Sequence, residues 1–235
     1  MMTKSKWALL ALAAAAGTAQ AGDFTANIAV TNNYVWRGLT QTQNEAAVQG
    51  GIDWAHESGF YVGTWISNVS YATDDVYSYE HDVYFGLSGG DDLAWDVGYL
   101  YFNYDDDADF DFAEIYGSLS FSNYTVGLNV LAHTEADEPM GRDYSFGDAY
   151  WVYGDAAFEV REGLELGLHV GYHDGDFVED FNGVPDSYFE YGVSLSMQGV
   201  TVAVTGTDVD DPGPDDPLGN DDIRFVISYG MDFEL

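Results

Sequence analysis

Apolar and polar residues alternate with period two along most of the chain. From Phe24 to Val30 every second residue is apolar, while Thr25 and Asn27 occupy positions between them. Successive side chains of a β-strand point to opposite faces, so this pattern is typical of strands whose two faces meet different surroundings. Eleven further segments alternate in the same way down to the C-terminus. The pattern therefore predicts twelve strands, the first of which extends to Trp36.

The connections between the predicted strands alternate between short and long. Ser122-Asn123 and Gln198-Gly199 are among the short ones, whereas residues 133–148 and 207–222 are long and polar. This alternation is typical of barrels with short periplasmic turns and longer extracellular loops, and an even strand number leaves both chain ends on one side. A soluble lipocalin-like barrel has only eight strands. We therefore predict an all-β fold, an antiparallel up-and-down transmembrane β-barrel of about 12 strands with acidic extracellular loops.

The N-terminus has the features of a secretory signal peptide. Lys4 and Lys6 precede a short apolar run, and Ala19-Gln20-Ala21 offers a small-x-small cleavage site. We expect residues 1–21 to be removed and residues 22–235 to form the barrel. The remaining chain has no apolar stretch long enough for a transmembrane helix, so a membrane-spanning form requires a closed barrel. The expected location is the bacterial outer membrane.

The last eight residues, from Ser228 to Leu235, match the C-terminal pattern of outer-membrane barrels. A glycine, Gly230, is followed by hydrophobic Phe233 and by a hydrophobic final residue, although a terminal Phe is commoner than Leu235. The alternative is an ordinary edge strand that ends the chain. With the other strands in place, we expect the barrel-assembly machinery to recognise this segment.

Aromatic residues near the ends of the predicted strands are expected to face lipid, where a ring with an apolar body and a polar edge suits the membrane interface. These residues are Tyr34, Trp36, Trp54, Trp95, Tyr99, Tyr101, Tyr172 and Phe233.

The charge balance is strongly negative. Both lysines lie in the signal peptide, which leaves four arginines against 41 acidic residues. Nucleic acid is therefore excluded as a partner, because phosphate binding needs clustered basic residues. Charged residues on the polar face are expected to line a lumen that favours cations. The candidates are Arg37, Asp53, Glu80, Asp82, Asp96, Glu114, Asp155, Glu165, Glu190 and Arg224. The alternative is that these acids and arginines pair across the lumen and plug it.

The sequence predicts neither a cofactor nor a resident metal. There is no cysteine, and His169 and His173 lie four residues apart on one strand, roughly 13 Å along its axis. Acidic loop runs such as Asp105-Asp106-Asp107, Asp210-Asp211 and Asp215-Asp216 favour a solvated surface, with Ca²⁺ or Mg²⁺ binding left open. Divalent cations are expected to bridge the acidic surface to lipopolysaccharide. Gly86-Leu87-Ser88-Gly89-Gly90 fits the Gly-x-Ser-x-Gly pattern of serine hydrolases, but it lies in a predicted strand and the short turn after it, not at a strand-to-helix elbow, so it does not indicate an enzyme.

Three segments carry a resemblance to a known family. They are Thr31-Asn32-Asn33-Tyr34-Val35-Trp36-Arg37-Gly38, Ala47-Val48-Gln49-Gly50-Gly51-Ile52-Asp53-Trp54 and His56-Glu57-Ser58-Gly59-Phe60-Tyr61-Val62-Gly63-Thr64-Trp65. This stretch resembles the TorF family of porin-like proteins, formerly grouped as conserved proteobacterial proteins of unknown function. The resemblance is most specific over residues 31–69 and implies outer-membrane residence and a porin-like role. It supplies no catalytic residues.

These observations lead to one principal hypothesis and two alternatives. The principal hypothesis is a porin-like channel for passive diffusion of small, preferentially cationic or neutral hydrophilic solutes. The first alternative is a narrow, plugged barrel with a structural or adhesive role through its acidic loops. The second is an outer-membrane lipid hydrolase that uses a serine and a histidine.

Overall fold

The computed structural model describes residues 24–72, 76–209 and 218–235. The predicted signal peptide lies outside the described residues, as do the acidic loop residues Asp210, Asp211, Asp215 and Asp216.

Twelve antiparallel strands form one closed ring, in which each strand pairs with its neighbours along the chain and the first pairs with the last. A two-stranded hairpin, β2–β3, and one helix, α1, accompany the ring. The elements are β1 (Phe24–Thr31), β2 (Val35–Trp36), β3 (Leu39–Thr40), β4 (Ala47–Ala55), β5 (Phe60–Asn68), β6 (Tyr79–Gly89), β7 (Leu93–Asn103), β8 (Phe112–Phe121), β9 (Tyr124–Thr134), β10 (Tyr150–Arg161), β11 (Leu164–Asp174), α1 (Asp176–Asn182), β12 (Ser187–Met197), β13 (Val200–Thr207) and β14 (Arg224–Glu234). The predicted twelve-stranded antiparallel barrel is confirmed.

The ring closes where β1 meets β14. Their register runs from Thr25 opposite Glu234 to Thr31 opposite Ser228. A final backbone hydrogen bond joins the Leu235 amide to the Phe24 carbonyl at 3.0 Å. Closure removes the unpaired strand edges that an open sheet would carry. Short turns follow β4, β6, β8, β10 and β12 at one end of the ring, and the described parts of the longer connections lie at the other end, called here the loop end.

The two faces of the ring differ in chemistry. The outer face exposes large apolar side chains throughout its height, among them Val30, Val48, Ile66, Val97, Leu128, Val170, Val193, Val204 and Ile227. The positions between them point inward and are mainly Gly, Ser, Thr, Tyr, Asp and Glu. The period-two pattern of the sequence therefore corresponds to an apolar outside and a polar inside.

The first strand is shorter than predicted, and this changes the inside of the barrel. β1 ends at Thr31, and the chain then turns inward instead of continuing along the wall. Tyr34 and Trp36, predicted to face lipid, are only 5% and 6% exposed and lie inside. The turn between β2 and β3 consists of Arg37 and Gly38, both with positive φ, as a two-residue type I′ hairpin requires.

The connection predicted as a loop between β11 and β12 contains α1, which ends at Gly183 in the left-handed conformation. Its Phe177 and Val178 are buried, and they pack into an aromatic cluster at the loop end. No helix within the described ranges has the length and apolarity needed to cross a membrane.

Inward tyrosines lie flat over glycines of the neighbouring strand. Tyr84 is paired with Gly63 and Tyr153 with Gly127, and two further pairs, Tyr61–Gly86 and Tyr116–Gly98, repeat the arrangement. A Cβ atom at Gly127 would lie 2.2 Å from the ring of Tyr153. These tyrosines therefore cover the wall only because the facing residue has no side chain.

We expect Gly127→Ala to destabilise the barrel by about 1–3 kcal/mol, because the added methyl must displace the Tyr153 ring. Gly154→Ala is the matched control on the adjoining strand, since its Cβ would meet nothing closer than a backbone oxygen at 3.9 Å. Urea unfolding of the refolded protein in lipid vesicles measures both. Equal stability of the two variants would contradict the packing described here.

Candidate functional site

Residues 32–46, called here the inner hairpin, occupy the interior of the barrel at its loop end. Most of their side chains are buried, including Val35, Leu39 and Gln41. Backbone hydrogen bonds hold the segment together, for example from the Gln41 amide to the Tyr34 carbonyl at 2.7 Å. The hairpin therefore takes up space that an open channel would leave to water.

The Arg37 side chain at the tip of the inner hairpin reaches the opposite wall. Its guanidinium lies between two indole rings, 4.2 Å from the centroid of Trp36 and 4.5 Å from that of Trp151. Nη2 donates to Glu114 Oε2 at 2.5 Å, and Nη1 lies 3.0 Å from His173 Nε2. The residue is only 3% exposed. A charge in this position is stabilised by ion pairing, hydrogen bonding and cation–π contact together.

The backbone of the hairpin tip is also bound to the wall. The Tyr188 hydroxyl donates to the Arg37 carbonyl, and Arg224 Nη1 donates to the Gly38 carbonyl, each at 3.0 Å. A Cβ at Gly38 would lie 2.6 Å from Thr207 Cγ2 and 2.9 Å from Glu190 Cβ. Only glycine fits this position, both for its φ and for its close approach to β12 and β13.

An aromatic cluster fills the loop end around the inner hairpin. Trp36 contacts Phe102 and Phe181 edge to face, with centroids 5.9 and 6.1 Å apart. Phe102 stacks on Phe112 at 4.3 Å, and Phe112 lies 5.1 Å from Phe177 of α1. Rings packed at these distances are typical of a protein core. The loop half of the barrel is thus packed like a core.

Two predicted lumen carboxylates lie beside this cluster on β6. Glu80 accepts hydrogen bonds from the hydroxyls of Tyr34 at 2.8 Å and Tyr104 at 3.0 Å. Asp82 is 0% exposed, and neither of its carboxylate oxygens has a hydrogen-bond partner. Buried polar atoms are nearly always hydrogen-bonded in folded proteins, so Asp82 is exceptional.

A second polar network lies on β10 to β12. His169 Nδ1 is 2.6 Å from Asp155 Oδ1, and His169 Nε2 is 3.3 Å from Glu190 Oε1. The indole nitrogen of Trp151 donates to the same Glu190 oxygen at 2.7 Å. Trp151 therefore links this network to the Arg37 guanidinium that stacks on its ring.

The half of the barrel near the short turns is lined differently. Asp53 accepts from the Tyr84 hydroxyl and Asp96 from the Tyr61 hydroxyl, each at 2.5 Å. Glu165 is half-buried on the same inner face. Between these residues the wall carries small side chains, among them Gly51, Gly63, Gly98, Ser118, Ser120, Ser194 and Thr201. This half is acidic and lined by small residues, whereas the loop half is packed.

The structure brings some of the ten predicted residues together and leaves others apart. Nine of them are inward residues of ring strands, while Arg37 comes from the inner hairpin. Arg37 pairs with Glu114, and Arg224 instead binds backbone carbonyls and amide oxygens, including those of Gly219 and Asn220.

The prediction missed Trp151, Tyr188 and Trp36 as partners of Arg37. The parity of Trp151 and Tyr188 placed them on the inner face, but nothing in the sequence indicated which wall residues would oppose the hairpin.

Acidic residues in two of the described long connections make local contacts. Asp105 accepts hydrogen bonds from the Ser78 amide and hydroxyl; although partial burial acts in the opposite direction, these bonds lower the pKa of Asp105. Arg142 Nη1 donates a hydrogen bond to Glu179 Oε2 at 2.7 Å, and this bond lowers the pKa of Glu179. Within the described ranges, no group of three or more His, Asp or Glu side chains is arranged to hold a metal ion.

We expect Glu114→Gln to loosen the inner hairpin, because it leaves the buried Arg37 guanidinium without its charge partner. Removing one member of a buried ion pair costs about 3–5 kcal/mol, which corresponds to more than a hundredfold in local opening. Hydrogen exchange of the hairpin amides of Trp36 and Leu39 measures this. Glu165→Gln, on the same face but away from the hairpin, is the control. Unchanged exchange in Glu114→Gln would contradict the assigned role of the ion pair.

Comparison with solved structures identifies barrels of the same architecture. KdgM porin superposes with a TM-score of 0.51 at 10% identity, covering 91% of this chain and 99% of KdgM, and KdgM porin in complex with disordered oligogalacturonate gives the same values. A chain solved in work on the in-meso crystallisation of membrane proteins has a TM-score of 0.56 at 10% identity, covering 91% of this chain and 84% of its own. Identities this low establish the fold alone.

Comparison of the sequence with curated proteins finds no match. A family model described as "Bacterial protein of unknown function (Gcw_chp)" matches residues 15–221. These comparisons do not support the TorF name, which stays a resemblance. Because the match covers most of the sequence, the chain belongs to the Gcw_chp family of bacterial proteins.

Proposed function

We propose that the protein is a porin-like channel of the bacterial outer membrane for the passive diffusion of small, cationic or neutral hydrophilic solutes. The observation that carries the proposal is the closed ring of twelve strands with an apolar outside and an acidic, polar inside. Among β-structures only a closed barrel satisfies its backbone in lipid. The resemblance to the TorF family agrees with this assignment.

Membrane residence also assigns the ends of the barrel and its partners. By analogy with other outer-membrane barrels, the short turns face the periplasm and the long acidic loops face outward. The C-terminal strand β14 closes the ring against β1 and is the segment that the barrel-assembly machinery would bind. Lipopolysaccharide would contact the outer loops, with divalent cations between the two negatively charged surfaces.

Cation preference follows from the surplus of inward carboxylates. Of the ten predicted lumen residues eight are acidic, and the two basic ones are already engaged by the protein: Arg37 by Glu114, and Arg224 by carbonyl and amide oxygens. Acidic groups in a tube with a low-dielectric wall attract cations and repel anions. Asp53 and Asp96 lie in the small-residue half of the lumen and are therefore well placed to act on a solute.

One observation favours the plugged structural barrel as a second candidate. The inner hairpin and the aromatic cluster fill the loop half, so solute passage requires the hairpin to move or the path to run beside it. Large solutes are excluded in either case. The lipid hydrolase has weaker support, because the described serine–histidine hydrogen bond joins His56 to Ser58 within an exposed turn.

Planar-bilayer recording under a KCl gradient tests the channel. We expect discrete current steps, and we expect the sign of the reversal potential to show that cations pass more readily than anions. The double variant Asp53→Asn/Asp96→Asn should lose part of this selectivity, because it removes two lumen charges. Asp137→Asn in an exposed loop is the control and should leave selectivity unchanged. Anion preference would contradict the proposal, and a folded barrel without current steps would favour the plugged structural barrel.

A further inference from the structure

The barrel wall supplies most of the pocket that holds the Arg37 guanidinium, and Trp36 of the inner hairpin supplies one indole face. Glu114 belongs to β8, Trp151 to β10 and His173 to β11, so three strands converge on the guanidinium, while Tyr188 of β12 donates to the Arg37 carbonyl. The cation itself arrives on the inner hairpin, a separate segment. The wall itself therefore presents a carboxylate, an indole face and an imidazole nitrogen to the cation.

The loop half of the barrel around this site contains four buried carboxylates. Glu80, Asp82, Glu114 and Glu190 are all at most 5% exposed. Glu114 forms a salt bridge with Arg37, and Glu190 lies within salt-bridge distance of His169. Asp82 has no hydrogen-bond partner at either oxygen, and Arg37 Nε has none either. Without Arg37, the buried Glu114 carboxylate would lose its ion-pair partner, so the site demands a cation.

The shape of the site favours a planar cation over a compact one. An indole face, a carboxylate and an imidazole nitrogen surround the group, and a guanidinium can stack on the first while it donates to the other two. An ammonium is a point charge with stronger hydration and lacks a flat face for stacking. Arginine at the hairpin tip satisfies all three contacts at once.

We propose that this wall is a binding site for solutes carrying a guanidinium group, and that Arg37 is its tethered occupant. A solute that takes the place of the Arg37 side chain removes the ion-pair anchor of the inner hairpin and so favours an open lumen, although Tyr188 and Arg224 still bind the backbone of the tip. The inference deepens the proposed channel function, on which it rests, by naming the solute class.

Exchange of one guanidinium for another keeps the buried charge balanced. A neutral solute that displaced Arg37 would leave Glu114 ionised and unpaired inside the barrel, which is strongly unfavourable. Anions would meet the carboxylate surplus directly. The site therefore distinguishes solutes by charge and by planarity, whereas the small-residue half of the lumen distinguishes them by charge and size.

A binding experiment with the Arg37→Ala variant tests the site itself. Methylguanidinium, methylammonium and urea are titrated against the refolded protein in detergent, with tryptophan fluorescence as the readout. We expect Arg37→Ala to bind methylguanidinium at least tenfold more tightly than methylammonium and more tightly than the unmodified protein does, because Arg37 no longer competes. Urea, planar but neutral, should bind weakest. Arg161→Ala, at the far end of β10, is the control and should behave like the unmodified protein.

Two further variants distinguish a loss of binding from a failure of the barrel to fold. Arg37→Ala/Glu114→Gln removes the charge partner as well and should lose the preference for methylguanidinium, while heat-modifiable gel mobility reports whether each barrel is folded. Arg37→Lys should bind methylguanidinium more tightly than the unmodified protein does. Equal binding of methylguanidinium and methylammonium by a folded Arg37→Ala barrel would overturn the proposal. So would a failure of Arg37→Ala to fold together with an Arg37→Lys barrel that binds like the unmodified protein.

A conductance experiment separates failure of the site from failure of the channel. We expect methylguanidinium chloride, but not urea, to increase the open time of the unmodified protein in a planar bilayer. Selective binding without any current would support the site and contradict the channel. Current steps that do not respond to methylguanidinium, with no selective binding, would support the channel and overturn the site.

Discussion

The pairing of β1 with β14 is the interaction on which the rest of the structure depends. In lipid every backbone amide and carbonyl must find a partner within the protein, and a sheet meets that requirement only when its first and last strands join. The seven-residue register from Thr25 to Thr31 completes the ring. Closure then separates an apolar outside from an inside cut off from lipid, and so creates a space in which Asp, Glu and Arg can be placed.

Inside that space, electrostatics and packing divide the barrel into two halves. At the loop end a guanidinium is buried between two tryptophans and paired with Glu114, because an isolated charge there would be strongly unfavourable. The surrounding aromatic rings exclude water and strengthen that pair. Near the short turns, glycines and small polar residues leave the wall thin, and tyrosines lie flat against it. The loop end is therefore packed, and the end near the short turns is acidic and lined by small residues.

The sequence predicted the ring of strands well and the inner hairpin poorly, for a physical reason. A strand alternates locally, so Val48 and Ile52 could be assigned to the outside without knowing their neighbours. Tyr34 and Trp36 have the same parity as Val30, and they therefore look like a continuation of β1 even though the chain has turned inward. The inward turn lies at residues 32 and 33, and the hairpin after it depends on positive φ at Arg37, which residue type does not disclose. The partners of Arg37 follow from ring closure, which brings distant strands opposite one another.

Whether the inner hairpin closes the barrel is tested most directly by fixing it in place. Thr42 and Ser70 form a β-bridge between the hairpin and the connection after β5, and the chain has no cysteine of its own. A Thr42→Cys/Ser70→Cys barrel can therefore be locked by oxidation and freed by reduction within one bilayer recording. In the oxidised barrel the current steps should be absent or brief, and they should appear when the disulfide is reduced. Identical conductance in the two states would contradict a hairpin that closes the channel.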